Sequence, residues 1–381
     1  MRGACAISLD EDKTFISSAI LRGPYLNFLG ESEVPAVYKG GDVAAYLREN
    51  LEVLDEKIKD TESSKSFRAE RVFLELPWHL ISKKEVCEVV PLGRRKRITS
   101  RDISYARKYL EDKFLDWDDF CVHNIVVNYE VEGQSYDNPP LGVWAKRVKL
   151  RSYLLWVKDI VHKEAEDVFS NSDINFSGFV APPISRFSSA FGRKDKLQVA
   201  VSVDYGSSHF VVMGRDRFSF SREFDFGLKT IIEALAKRFA FDLSLAEEVF
   251  NRYISFKEIP YFKELTLKKG QGYVNLSTQT LNAFIKNYIR EEIGLVLVAI
   301  RESAGDENFT ISFIGRLNVK EGFYSFLKDC IPYTLRAPFR KEVVSSSFGC
   351  LRYGISPFLE SAHRKGESLL QRIFTVYKEY F

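Results

Sequence analysis

The chain has 381 residues, enough for two or three domain-sized units with ample core. Apolar residues make up 45% and charged residues 28%, the balance of an ordinary globular protein. Its 55 basic and 52 acidic residues leave +3, so no global field points to nucleic acid, and the 31 Phe and 18 Tyr are scattered, as core and strand residues are.

Residues 6–9 and 14–21 predict two short strands around an acidic turn, Asp10-Glu11-Asp12. The same carboxylates interrupt the early apolar stretch, so no signal peptide is expected. Asp42 caps a helical pattern with Val43, Leu47, Leu51 and Leu54 on one face, and residues 71–76 alternate as a strand ending at Pro77. A basic turn, Gly93-Arg94-Arg95-Lys96-Arg97, precedes Thr99, the expected cap of a helix over 100–113. Strand-like runs at 122–131 and 145–155 flank a loop with Asn138-Pro139-Pro140, and a helix over 157–168 closes this α+β unit.

A fresh strand spans 197–203, followed by the turn Asp204-Tyr205-Gly206-Ser207-Ser208 and a returning strand over 209–213. Helical patterns follow at 228–239, 244–253 and 277–302, then a strand at 309–314 ending in Gly315, then a helix from about Val319. The strand, acidic turn, strand opening thus occurs twice, near residues 6 and 199, which points to a duplicated α/β architecture. The longest strongly apolar run, 293–300, is too short to span a bilayer.

The five cysteines (Cys5, Cys87, Cys121, Cys330, Cys350) are odd in number and widely spaced, which argues against a disulfide framework or a zinc site and for a reducing cytosol. The five histidines (His79, His123, His162, His209, His363) show no nucleophile or acid partner. A tight hairpin with Gly or small residues lets backbone N–H groups approach phosphate, and a nearby Asp can hold Mg²⁺ through water. The segment Asp204-Tyr205-Gly206-Ser207-Ser208 has this form, which is also that of an ordinary turn.

The order of motifs resembles the bacterial FtsA family, actin homologues that link the FtsZ ring to the membrane. The residues that carry the resemblance are Ile98-Thr99-Ser100-Arg101-Asp102-Ile103, Val122-His123, Asn138-Pro139 with Gly142, Ser244-Leu245-Ala246-Glu247, Arg290-Glu291-Glu292-Ile293 and Gly349-Cys350-Leu351-Arg352-Tyr353-Gly354. It implies a two-lobed actin-like (ribonuclease H-like, duplicated) α/β fold. The first lobe is expected at 1–78 and 167–195, an inserted α+β subdomain at 79–166, the second lobe at 196–360, a linker at 361–366 and a tail helix at 367–381. It further implies ATP and Mg²⁺ as cofactors, with Lys13, Asp204, Gly206, Ser207, Ser208, Glu247, Gly315 and Arg316 as nucleotide contacts.

The sequence departs from the family at these contacts. Aligned on Lys13, Ser8 replaces the first-hairpin Asp and Asp10 the Gly, so carboxylates sit where phosphate oxygens come. At ~4 Å each such pair costs about 1 kcal/mol in water. Ser207 and Ser208 replace glycines, Phe250 stands at a usual Lys, and Arg316 follows Gly315 in place of a second Gly. Two readings follow: a fixed scaffold without nucleotide, or altered ATP binding with Arg316 and Lys13 as phosphate contacts. Neither supports catalysis beyond weak ATPase activity.

Arg94, Arg95, Lys96 and Arg97 suit a solvated loop, an acidic partner or anionic lipid better than nucleic acid, since no aromatic platform accompanies them. In the tail, Leu369, Leu370, Ile373, Phe374, Val376, Tyr377, Tyr380 and Phe381 fall within an arc of roughly 160° at ~100° per residue. Arg372 and Lys378 lie opposite and favour anionic lipid. Such a helix packs on a core or docks in a headgroup layer, and the family resemblance favours the membrane. One helix is a weak anchor, and many in a polymer hold by avidity. The expected function is therefore a cytoplasmic, peripheral adaptor or filament in cell division, tethering an FtsZ-like tail to the inner face of the membrane and meeting other division proteins through the insertion. A PilM-like adaptor of type IV pilus assembly is the first alternative, and an actin-fold phosphotransferase the second.

Overall fold

The computed structural model describes the chain except residues 11, 23–24, 192–196, 215–217, 221–223, 258–262, 270–271, 306–307, 339, 341–342 and 367–381. The chain folds into two compact units. The first unit opens with β1 (Arg2–Leu9), β2 (Thr14–Arg22) and β3 (Tyr25–Val34), then α1 (Val43–Lys65) and β4 (Arg68–Glu75). An inserted layer follows: β5 (Ser82–Arg97), α2 (Ser100–Phe114), β6 (Asp119–Val131), β7 (Gln134–Tyr136) and β8 (Trp144–Lys158). Then come α3 (Asp159–Ser170), β9 (Phe176–Val180) and α4 (Pro182–Ala190).

The main sheet of this unit has the order β3-β2-β1-β4-β9, with β1 antiparallel to β2 and parallel to β4. The central β1 is buried from Gly3 to Ser8, as a strand covered on both faces must be. The helix starts follow local chemistry. The Asp42 side chain accepts from the Ala44 N–H and caps α1. Thr99 and Asp102 form a capping box at α2. Partial burial works against the Asp102 carboxylate, but Lys96 at 2.6 Å and the Thr99 donors hold it below its usual range.

The second unit holds β10 (Gln198–Val203), β11 (Ser208–Met213), β12 (Phe218–Phe220), α5 (Leu228–Phe239), α6 (Leu243–Tyr253), β13 (Glu264–Lys269), β14 (Gly272–Ser277), α7 (Thr278–Ala304), β15 (Thr310–Gly315), α8 (Phe323–Cys330) and β16 (Thr334–Leu335). Its main sheet has the order β12-β11-β10-β15-β16. Counted among each sheet's own strands, both sheets run third, second, first, fourth, fifth, so the duplication expected from the two hairpins is present. In α7 the buried residues Leu281, Ile285, Ile289, Ile293, Val296 and Ile300 recur every three or four positions and line one face against the core.

Several expectations need correction. The basic segment is the bulged end of β5 rather than a free turn: Pro91 pairs with Arg147 and Lys96 with Ala145. The helix expected from about Val319 is a short 3₁₀ turn, Arg316–Val319, followed by α8 from Phe323. β3, β9, α4 and the β13–β14 hairpin went unread in the sequence. Helix α3 packs on α1 as well as on β8, so it does not belong to the insertion alone.

Residues 361–366, expected as a linker, are the last residues of helix α9 (Ser347–Gly366). That helix packs on β1, β2, β4 and β9, so from Ser347 the chain has returned to the first unit, earlier than the expected boundary at 360. The second unit begins at Ser189 rather than 196. The membrane face expected at Leu369, Leu370, Arg372, Ile373, Phe374, Val376, Tyr377, Lys378, Tyr380 and Phe381 lies outside the described residues. Among the described residues, no helix is long and apolar enough to cross a membrane.

Candidate phosphate-loop site

The candidate site of the second unit sits where β10 and β15 end side by side. Val203 closes the β10–β11 ladder opposite Ser208 and pairs in parallel with Gly315 of β15. The carboxyl ends of parallel strands are where α/β sheets place ligands. The turn between Val203 and Ser208 is closed by the Asp204 N–H donating to the Ser207 carbonyl at 2.9 Å. The Ser202 hydroxyl donates to the Asp204 carboxylate and orients it.

Helix α5 braces this turn. The N–H groups of Leu228 and Lys229 donate to the carbonyls of Asp204 and Tyr205 at 3.0 and 2.8 Å. Gly227 makes the approach close: a Cβ there would lie 2.5 Å from the Tyr205 oxygen and 2.7 Å from the Ser207 nitrogen. From the other side, Gly315 has φ +107°, and a Cβ on it would collide with the Val203 carbonyl. Both contacts place backbone against backbone, so only glycine fits.

The next residue, Arg316, sets its guanidinium over the Tyr205 ring at 5.3 Å. A cation is thereby held beside the turn that carries Asp204 and Gly206. Ser207 bonds its hydroxyl to His209 Nε2 at 3.1 Å, and the Ser208 hydroxyl donates to the Phe226 carbonyl, so these hydroxyls have intramolecular partners. Of the expected contacts, Asp204, Gly206, Ser207, Ser208, Gly315 and Arg316 therefore converge. Glu247 lies on the exposed face of α6, which packs on α5.

Phe250, which replaces a lysine of the family pattern, is a core residue at 1% exposure. A lysine ammonium nevertheless sits over its ring: Lys320 Nζ lies 4.6 Å from the centroid and donates to the carbonyls of Phe250 and Asn251 at 2.9 and 3.0 Å. Burial pushes the Lys320 pKa down. Sequence reasoning missed Lys320, Gly227 and the Tyr205 platform. Gly227 alone carried a local signal, as a glycine directly before a helical pattern.

The first unit contains the equivalent turn with different chemistry. Leu9 pairs with Thr14, and the Asp10 N–H donates to the Lys13 carbonyl at 3.0 Å. The turn has the same length and the same closing bond as that of Asp204. Superposing the two ladders therefore matches Asp10 with Asp204, Asp12 with Gly206 and Lys13 with Ser207. Ser8 matches Ser202, both buried one position before the strand end. This register corrects the alignment on Lys13, in which Ser8 replaced the aspartate. In it Asp10 stands where the second turn has Asp204, and Asp12 where it has Gly206. Lys13, expected as a phosphate contact, is ion-paired with Glu33 of β3 at 2.5 Å.

No family model matches the chain, and no curated protein matches it. Among solved structures it is similar to one from the PilM–PilN type IV pilus biogenesis complex, at 12% identity and TM-score 0.53 over 93% of this chain and 98% of that one. It is also similar to a diol dehydratase-reactivating factor in nucleotide-free form, at 9% identity and TM-score 0.52 over 94% and 100% of the two chains. The ethanolamine utilization protein EutJ from Carboxydothermus hydrogenoformans follows at 9% identity and TM-score 0.50 over 92% and 89%. At such identities the likeness is one of fold, and it establishes that this chain has the actin-like ATPase fold.

Proposed function

We propose that the chain is an actin-fold adaptor of the FtsA type, which links protein partners to a membrane surface and assembles with its own copies. The observation that carries this reading is the inequality of the two turns. The second has Gly206 and Arg316, which suit a phosphate group. The first places Asp12 where the second has Gly206, and a carboxylate there repels phosphate. A chain with one favourable turn suits nucleotide as a structural or regulatory ligand better than rapid turnover. Asp204 is the residue suited to hold Mg²⁺, and Arg316 to meet phosphate oxygens.

The membrane half of the proposal rests on residues 367–381, whose apolar and polar positions segregate at helical spacing. It places the chain peripherally on the inner face of the membrane. An FtsZ-like tail is one proposed partner, and the inserted layer is the proposed contact with other division proteins. Titration with trinitrophenyl-ATP and Mg²⁺ tests the nucleotide half: micromolar binding without turnover supports it, and sustained hydrolysis of ATP or transfer to a small substrate would favour a phosphotransferase instead. Co-sedimentation with anionic vesicles, with and without 367–381, tests the tether, and equal pelleting removes it.

A second reading, an adaptor of type IV pilus assembly, is favoured by the likeness in fold to the PilM–PilN complex. Pull-down with an FtsZ tail peptide against pull-down with a PilN segment separates the two.

A further inference from the structure

The inserted layer of the first unit carries opposite charges at the two ends of α2. At the amino end lies the β5 bulge. Leu92, Gly93, Arg94 and Arg95 together face the single residue Lys146 of β8, because Pro91 pairs with Arg147 and Lys96 with Ala145. Leu92 is buried and anchors the bulge, whereas Arg94 and Arg95 are exposed. Lys146 and Arg147, also exposed, extend the patch. Among the described residues the charge is only partly answered: Arg95 meets Glu132 at 3.6 Å with both side chains more than half exposed, and such pairs are weak.

At the carboxyl end lies the turn from α2 into β6. The Asp116 N–H donates to the Asp119 carboxylate at 3.0 Å and the Asp119 N–H to the Asp116 carbonyl at 3.1 Å, so the turn is fixed at both ends. At its tip Trp117 is 97% exposed. A tryptophan displayed on a closed turn forfeits nearly all the burial its ring offers, which marks it as a contact residue. Beside it runs a groove of about 530 Å³, lined by Glu111, Asp112, Asp116, Asp119 and Phe120 among others. Lys108 pairs with Glu111 and Asp112, and Lys158 with Asp118 and Asp119, yet carboxylates outnumber these cations.

The two ends are separated by α2, 15 residues long, hence about 22 Å at 1.5 Å per residue. The helix dipole has the same sense as the side chains, positive at the basic end and negative at the acidic end. We propose that the insertions of successive copies dock head to tail, with the Arg94–Arg95 bulge of one copy entering the Trp117 groove of the next. The occupant is a second copy because the groove and its complement lie on one subdomain. Arginine over an exposed tryptophan with carboxylates alongside satisfies both the ring and the charge. The two surfaces differ, so the contact is heterologous and extends into a filament or closes into a ring. This inference rests on the assembly half of the function proposed above and is independent of nucleotide and membrane.

Sedimentation of the full chain across a salt series tests it, with R94E/R95E, D112K/D116K and Trp117→Ala. The expected result is self-association that weakens with salt. Each double reversal alone lowers the association constant at least ten-fold, W117A at least five-fold, and an equimolar mixture of the two reversals recovers complex formation. R94A/R95A, whose melting curve is compared with that of the parent, guards against a misfolded reversal. Association that no variant changes overturns this surface while leaving assembly intact. A chain monomeric at low salt overturns both. If R94E/R95E instead abolishes pelleting with anionic vesicles while D112K/D116K leaves association unchanged, the bulge is a lipid contact and the head-to-tail docking is wrong.

Discussion

The two hairpins of this molecule have one geometry and two chemistries. Each opens a five-stranded sheet of the same order, and each closes a turn of equal length with a bond from the first N–H to the fourth carbonyl. They differ in what braces them. In the second unit α5 grips the turn itself, through Gly227 and the N–H groups of Leu228 and Lys229. In the first, α9 grips the strands behind the turn: Ser347 Oγ meets Ser17 Oγ at 2.7 Å and donates to Glu31 at 2.8 Å. The fold therefore needs the hairpin but not the glycine that phosphate binding asks of its tip. A turn can lose its ligand chemistry while its strands stay fixed by the sheet.

The sharpest test of this contrast is at Gly315. Gly315→Ala must place a Cβ against the Val203 carbonyl at φ +107°, and a loss of roughly 3 kcal/mol is expected in urea unfolding. Gly227→Ala should cost roughly 2 kcal/mol for the same reason. A stability within experimental error of the parent at both sites would break the claim that the second turn is backed by close backbone packing.

The first unit has its own strong constraint, at His123. Its Nε2 accepts from the Ala181 N–H at 2.9 Å, and burial, aided by the charge of Arg107, pushes its pKa down to about 3. The folded protein thus binds fewer protons here than the unfolded chain does between pH 3 and about 6.5. The stabilisation is complete above the unfolded value and is lost as pH falls toward the folded one. The expected slope from this group is up to about 1.4 kcal/mol per pH unit below pH 6. His123→Gln, which keeps an acceptor, should flatten that part of the profile, and an unchanged slope would falsify the assignment.

Smaller effects sharpen the chemical half of the comparison. Arg316→Ala removes the cation over Tyr205, and trinitrophenyl-ATP affinity should fall about five-fold, the equivalent of ~1 kcal/mol. Asp12→Gly gives the first turn the tip of the second. A phosphate probe that meets this turn should then bind tighter by a similar factor, since one repulsion of about 1 kcal/mol is removed. No gain from Asp12→Gly would mean that the first turn does not meet phosphate at all. Smallest is Lys13→Ala: its pair with Glu33 is solvent-exposed, so unfolding should shift by less than about 0.5 kcal/mol.

Local signals decided what the sequence alone could determine. Asp42 and Thr99 announce their helices because a cap acts within three residues, and α5 and α7 are legible because a buried face repeats every three or four positions. The doubled hairpin was visible for the same reason, and with it the duplicated fold. The rest depended on residues far apart in the chain. Nothing near Arg94 reveals that its segment pairs with β8, which the chain reaches only after α2, β6 and β7. Ser347 meets Ser17 and Glu31 only because the chain returns to the first sheet, and Arg316 finds Tyr205 only because β15 lies beside β10. Even the match of Asp10 with Asp204 needed the ladder, since register is a property of paired strands and not of either strand alone.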